Sequence, residues 1–189
     1  VLWNLHKFLI DVVNNKYTAS DLEAVPLIPK LLGAEERYIL SKAHAAVMHQ
    51  TELYDAYNLS ETPHVVEVLF LELSRTYIQL VREKLSVGSD DEKKIVAAVL
   101  YHVFLIVLKL CAPIMPFVSE MMYQHLREVF GWSVESVHLQ DWPVCNKSFL
   151  DSHVEESMDV CSQVIASVLA AREKAGLGVR WPVLSVSVV

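Results

Sequence analysis

Glycine is scarce in this sequence, which has only five in 189 residues. A fold made of many short strands needs frequent tight turns, where glycine is favoured, so this scarcity argues against an all-β architecture. The abundant leucine, valine, alanine and glutamate favour long helices instead. The length suits one domain, or one domain with a small appendage, and 53% apolar residues can supply a substantial core.

Paired metal ligands are also missing. The cysteines Cys111, Cys145 and Cys161 form no Cys-x-x-Cys pair, and none of the eight histidines belongs to a His-x-x-x-His pair. A structural zinc site needs about four converging ligands, so the sequence predicts no metal site. An odd number of cysteines, two of them within apolar helical patterns, indicates a reduced intracellular chain with buried thiols.

No uninterrupted apolar run has the length of a membrane span, and no signal or transit peptide is visible. The longest apolar run, Ile95–Leu108, has 14 residues, whereas a span needs about 20. Such a run predicts the central helix of a core. The formal net charge of −7 argues against nucleic-acid binding by overall charge, so such binding would need a local basic patch.

Catalytic motifs are absent as linear signals. The sequence has no Gly-rich phosphate-binding loop, no Gly-x-Ser-x-Gly and no His-Glu-x-x-His. The adjacent carboxylates at 35–36 and 90–92 stand where helices are predicted to begin, which is the ordinary place for acidic residues in a helix dipole. A stand-alone enzyme is therefore not expected.

Apolar residues recur at helical spacing in six segments, which predicts an all-α helical bundle of about six helices. Ser89 with Glu92, and Ser152 with Glu155, have the spacing of capping boxes that begin two of these helices. The predicted helices are Val1–Asn15, Ala34–Asn58, Thr62–Leu85, a helix from about 90 to Pro113, Pro116–Phe130 with Gly131 as its left-handed terminator, and a helix from about 152 to Gly176.

The remaining segments are predicted to be irregular, apart from the last one. Residues 17–29 are loop-like, and residues 183–189 alternate with the period of a β-strand. Because a lone strand is not stable, we expect the natural chain to continue and this β segment to be truncated. The predicted division is a helical domain, residues 1–178, followed by the start of a segment with β character, residues 179–189.

Four segments carry motifs of a known family, and two shorter ones add weaker matches. The four are Leu73–Arg82 (LSRTYIQLVR), Ala112–Glu120 (APIMPFVSE), Glu135–Pro143 (ESVHLQDWP) and Ala171–Pro182 (AREKAGLGVRWP), with weaker matches at Leu2–Asn4 and Arg37–Ser41. In this order they resemble the anticodon-binding domains of class I aminoacyl-tRNA synthetases. The last two of the four are most similar to isoleucine enzymes, the final one to those of archaeal and eukaryotic type. The leucine and valine enzymes share the first two motifs, so a leucyl or valyl relative is an alternative.

The resemblance implies a helical bundle that binds the anticodon arm of an isoleucine tRNA and packs beside the catalytic domain of the same parent chain. The family's catalytic signatures, His-Ile-Gly-His and Lys-Met-Ser-Lys-Ser, are absent here. We therefore expect no catalysis and no cofactor in this chain, with ATP and magnesium serving the parent enzyme. A cytoplasmic protein without a membrane partner is expected.

The third predicted helix carries the first candidate RNA contacts. Arg75, Gln79 and Arg82 lie at i, i+4 and i+7, so a regular helix places them on one face. Two guanidinium groups about 10.5 Å apart along the axis could contact separate phosphates. The alternative is that Glu72 and Glu83 neutralise this face in ion pairs.

Further candidates lie near both ends of the chain. Arg172, Lys174 and Arg180 form a locally basic region, where Trp181 could stack on a base or, as favoured, pack under the truncated β-tail. By the resemblance, the first helix lies close to the anticodon, which makes Asn4 and Lys7 candidates. Trp3 and Phe8 are expected in the core. The main functional alternative is a helical scaffold that docks on the catalytic domain, with the anticodon contacts made elsewhere.

Overall fold

The structure, a computed structural model, describes residues 1–13 and 16–187. It divides into two compact units, Val1–Leu150 and Asp151–Val189. Every regular element in the described residues is helical, which confirms the predicted all-α fold. The α-helices are α1 (Leu2–Val13), α2 (Ala19–Glu23), α3 (Ala34–Asp55), α4 (Thr62–Glu72), α5 (Ile78–Val87), α6 (Asp90–Cys111), α7 (Pro116–Phe130) and α8 (Ser152–Lys174).

Helix α6 forms the centre of the first unit. The predicted capping box begins it: the Ser89 hydroxyl accepts a hydrogen bond from the Glu92 backbone N–H at 3.2 Å, and the Glu92 carboxylate accepts one from the Ser89 N–H at 2.8 Å. The helix contacts α1 to α5 and α7. By length and composition it alone, among the described helices, could cross a membrane, but 72% of its most apolar window is buried inside the fold. It is the predicted core helix.

A short helix, α2, occupies part of the segment predicted to be a loop. The Thr18 hydroxyl accepts from the Asp21 backbone N–H at 3.2 Å, and the Asp21 carboxylate accepts from the Thr18 N–H at 2.9 Å. Leu22 is only 2% exposed and joins the core. The loop prediction was wrong because Thr-x-x-Asp forms the same reciprocal cap as Ser-x-x-Glu, while one buried leucine anchors the turn.

The third predicted helix is continuous but not regular. Helices α4 and α5 are joined by a π-helical turn, Leu73–Tyr77, in which the Ile78 N–H donates to the Leu73 carbonyl. Leu73 and Tyr77 are buried, and the turn contacts α3. Such turns interrupt α-helices by one extra residue and are frequent at functional sites.

An irregular segment, residues 132–150, completes the first unit. It follows Gly131, whose φ of 67° confirms the predicted left-handed end of α7. The Glu120 carboxylate accepts from the Ser136 hydroxyl at 2.8 Å and the Val137 backbone N–H at 3.0 Å. The Trp142 indole N–H donates to the Thr51 hydroxyl at 2.9 Å. These bonds attach the segment to α7 and α3.

The second unit consists of α8 and the tail that follows it. The Asp151 side chain accepts from the Val154 N–H at 3.0 Å, so Asp151 is the cap and Ser152 is the first helical residue. The predicted Ser152 capping box is therefore wrong, because aspartate is an equally good cap one position earlier. The expected burial of the Cys161 thiol is also wrong, since this residue is exposed in α8, whereas Cys111 is buried in α6.

The tail contains no strand within residues 183–187, although its pattern predicted one. A strand needs a neighbour with which to pair its backbone, and none is present in the described part of this unit. Val188 and Val189, and the predicted helix end at Asn15, lie outside the described residues. The boundary predicted after residue 178 stays a prediction.

Candidate nucleic-acid interface

Three candidate contact residues are exposed along one continuous helical stretch. Arg75 lies in the π turn, and Gln79 and Arg82 lie on α5. Within the described residues, neither arginine side chain forms a hydrogen bond or an ion pair. Two unpaired guanidinium groups facing solvent are the arrangement that phosphate contacts require.

In the described residues, Glu72 and Glu83 do not form the alternative ion pairs with the two arginines. The Glu72 carboxylate accepts a hydrogen bond from the Tyr38 hydroxyl at 2.8 Å. Glu83 is exposed, and within the described residues no ion pair joins it to either arginine. The assumed regular spacing does not hold across the π turn, because that turn adds one residue, so the rise of about 1.5 Å per residue applies to α5 alone.

An ionic cluster on the inner side fixes the orientation of α5. The Lys84 ammonium lies 2.9 Å from Glu36 Oε1 and 3.2 Å from Glu35 Oε2, both in the first turn of α3. Burial alone would lower the pKa of Lys84, but hydrogen bonds and charge from Glu36 and Glu35 outweigh it and raise the pKa. A Cβ on Gly33 would lie 2.5 Å from Glu36 Oε2, so a larger residue there would displace this carboxylate from its place beside Lys84.

Tyr77 is the last residue of the π turn, and its side chain is fully buried. Burial, together with the charges of Glu36 and Glu35, raises its pKa well above the ordinary value, so the phenol is neutral at pH 7. Its hydroxyl has no hydrogen-bond partner in the described residues. The π turn that carries Arg75 is therefore anchored in the core by a buried aromatic side chain.

Helix α1 presents two further candidates. Asn4 and Lys7 are exposed and three residues apart, so they share a face. The Lys7 ammonium lies 5.4 Å from the centre of the Trp3 ring, within range of a cation–π contact. Trp3 is 38% exposed, so its predicted core position is wrong, because the ring lies at the edge of the bundle. Phe8 is half-buried against the core.

Two histidines extend this edge and were not identified from the sequence. The His6 ring lies 5.1 Å from Trp3 and 5.3 Å from His125 on α7. Burial, with the charges of His125 and Lys7, lowers the pKa of His6 to about 4. Neither ring nitrogen of His6 has a hydrogen-bond partner in the described residues. A sequence without tertiary contacts gives no signal that residues 6 and 125 meet.

The remaining candidates belong to the second unit. Lys174 and Arg180 are exposed, whereas the Arg172 guanidinium donates to the carbonyls of Gly178 and Trp181. Arg172 therefore closes the turn after α8. Trp181 is 68% exposed in this unit, so its packing under the truncated β-tail stays a prediction.

Comparisons with known proteins show which family the chain belongs to. The family described as anticodon-binding domain of tRNA ligase matches residues 36–188. The chain belongs to this family. It is 34% identical over 97% of its length to isoleucine–tRNA ligase of Methanosarcina mazei, and 35% identical over 96% to that of Methanopyrus kandleri. It spans 18% and 17% of the length of these two curated relatives.

In this anticodon-binding domain the four resembling segments occupy distinct structural positions. Leu73–Arg82 contains the π turn and the two unpaired arginines, and Ala112–Glu120 makes the turn from α6 into α7. Glu135–Pro143 belongs to the irregular segment, and Ala171–Pro182 ends α8. The RNA contacts assigned to residues on these segments stay predictions.

Proposed function

We propose that this domain contributes to the surface that holds the anticodon arm of an isoleucine tRNA. The observation that carries the proposal is the exposure of Arg75 and Arg82 without an acidic partner in the described residues. Ion pairs on a surface contribute only about 0–1 kcal/mol to stability, so an unpaired arginine costs the fold little. Two such side chains on one helical stretch suit contacts to the RNA backbone.

The other candidates would supply register and identity. Asn4 can hydrogen-bond an unstacked base, and Lys7, Lys174 and Arg180 can meet phosphates. With a net charge of −7, long-range attraction is weak, so binding depends on these local contacts and falls as salt rises. Arg172 acts indirectly in this scheme, by holding the turn that precedes Arg180.

Chemistry would take place elsewhere in the parent protein. The relatives are named isoleucine–tRNA ligases, and most of their length lies outside this match. We assign amino-acid activation, with its ATP and magnesium, to those parts, and tRNA positioning to this domain. A cytoplasmic parent that works without a membrane fits this assignment.

One observation favours the scaffold alternative. Helix α7 exposes Phe117 at 89%, Val118 at 40% and Met121 at 43%. Exposed apolar groups on one helix suit docking against another protein surface, which in the parent would be its catalytic domain. On this alternative, removing the arginines would leave tRNA affinity unchanged.

Titration with tRNA separates the two readings. The fragment is titrated with isoleucine tRNA and with an anticodon-swapped version, at low and moderate salt. We expect tighter binding to the isoleucine anticodon, a roughly fivefold to tenfold loss on Arg75→Ala or Arg82→Ala, and a salt slope lower by about 1. Lys30→Ala, which removes an exposed charge from the short 3-10 helix before α3, is the control. Equal binding to both tRNAs, unchanged in the arginine variants, would contradict the proposal.

A further inference from the structure

A pocket of about 300 Å³ lies where the end of α6 meets the irregular segment. Two of the four family-like segments line it, although neither carries a predicted RNA contact. Pockets of this size are at the small end of those that take ligands. The lining residues are Lys109, Ala112, Pro113, Val137, His138, Gln140, Asp141 and Trp142.

Contacts with two helices of the first unit, α3 and α7, hold the walls of this pocket in place. The Trp142 indole N–H points to the Thr51 hydroxyl, and the ring meets Tyr54 edge-on at 5.5 Å. The Gln140 amide donates to the Tyr123 hydroxyl at 2.8 Å. Val137 is fixed through its backbone N–H by the Glu120 carboxylate. A ligand would therefore meet a preorganised surface and would not have to order it.

Lys109 brings an unsatisfied cation to this pocket. Its side chain is half-buried and has no hydrogen bond or ion pair within the described residues. Burial lowers its pKa, while the charge of Asp141 acts in the opposite direction. A partly desolvated ammonium group gains more from an anion than an exposed one does, because water competes less.

The surroundings of Lys109 favour one kind of anion. It lies in the last turn of α6, where the carbonyl ends of the helix carry partial negative charge. Asp141 adds a full negative charge at the rim. Both disfavour a dianionic phosphate more than a singly charged carboxylate. Pro113, Val137 and the Trp142 ring supply apolar walls beside the ammonium.

We propose that this pocket binds a small carboxylic acid with an aromatic or branched apolar body, its carboxylate on Lys109 and its body against Trp142 and Pro113. The site is separate from the arginines of the RNA proposal and does not depend on it. His138 lies at the exposed rim, where it can accept or donate a hydrogen bond to the entering group.

The test uses fluorine NMR on the whole 189-residue chain with three probes. The probes are 4-fluorobenzoate, the neutral 4-fluorobenzamide and 4-fluorophenyl phosphate. We expect benzoate to bind at least tenfold more tightly than benzamide, since one charge-assisted hydrogen bond is worth about 1.5–3 kcal/mol. If 4-fluorophenyl phosphate bound as tightly as 4-fluorobenzoate, the proposal of a carboxylate ligand would be overturned and the pocket would be a phosphate site.

Variants locate the site and keep the proposal falsifiable. Lys109→Met keeps the apolar stem and should weaken benzoate about tenfold, while Asp141→Asn should strengthen it. Lys93→Met is the matched control, since it lies on the same helix sixteen residues earlier, about 24 Å away. Circular dichroism confirms that each variant is folded. Unchanged benzoate binding in Lys109→Met would overturn the proposal, and so would the absence of benzoate binding to the 189-residue chain without substitutions.

Discussion

Helices α6 and α8 have nearly the same length, 22 and 23 residues, yet they differ in what surrounds them. Helix α6 buries thirteen residues, whereas Val154 is the buried residue of α8 in the described chain. Apolar side chains such as Ile165 and Leu169 on α8 stay more than 40% exposed. Apolar periodicity thus indicates where a helix forms, while burial depends on which neighbours the fold supplies.

The largest effect is expected from a substitution that creates a cavity beside α6. Phe104 is 1% exposed, so Phe104→Ala should lower the free energy of unfolding by about 3–5 kcal/mol. The matched change in α8 is Ile165→Ala, at a residue 56% exposed, which should cost within about 0.5 kcal/mol. Urea unfolding followed by circular dichroism measures both. Equal losses would mean that α8 is packed as tightly as α6.

A second test uses the neutral histidines of the first unit. Burial and the nearby His102 lower the pKa of His44 to about 4, and that of His6 is also about 4. Unfolded histidine titrates near 6.5. Between pH 6.5 and 4 the unfolded chain therefore takes up protons that the folded chain does not. The free energy of unfolding should therefore decrease as the pH is lowered from 6.5 to 4, by at most about 1.4 kcal/mol per pH unit for each histidine. Above pH 6.5 it should not depend on these groups.

Urea titrations at several pH values measure this dependence. His44 accepts a hydrogen bond from the Asn146 N–H at 3.2 Å, stacks on Phe149 and lies 3.5 Å from His102, Nε2 to Nε2. His44→Gln should flatten the pH dependence, whatever its effect on stability at pH 7. His153→Gln on α8, where the side chain is exposed, is the control. An unchanged slope in His44→Gln would show that His44 is not among the titrating groups.

The smallest effects are expected at the helix caps. Ser89→Ala should lower the free energy of unfolding of the first unit by about 1 kcal/mol, because a cap to α6 is lost. Asp151→Ala should instead speed amide exchange in the first turns of α8, with little change in α6. Hydrogen exchange resolved by residue distinguishes the two. If either substitution sped amide exchange throughout both α6 and α8, the two helices would not differ in the way proposed.

The sequence allowed the long helices to be predicted, because their apolar spacing and caps are local. Gly131 and the Ser89 box were identifiable for the same reason. The Thr18–Asp21 capping box is also a local signal, but the sequence analysis missed it, because a helix of five residues is too short to show an apolar periodicity. The exposure of Trp181 and the meeting of His6 with His125 were not predictable, because they depend on tertiary neighbours. The unpaired state of Arg75 likewise required knowing that Glu72 bonds to Tyr38.

The π turn, Leu73–Tyr77, makes this part of the chain tolerant of a change in length. A π turn contains one residue more than an α-helix needs at the same place. Removing one residue there would let the helix close as a regular α-helix while α4 and α5 keep their phases. The same deletion inside α6 would rotate every later side chain by about 100° and turn its apolar stripe out of the core. The arginine-bearing helix can therefore lose a residue without losing its packing, and the core helix cannot.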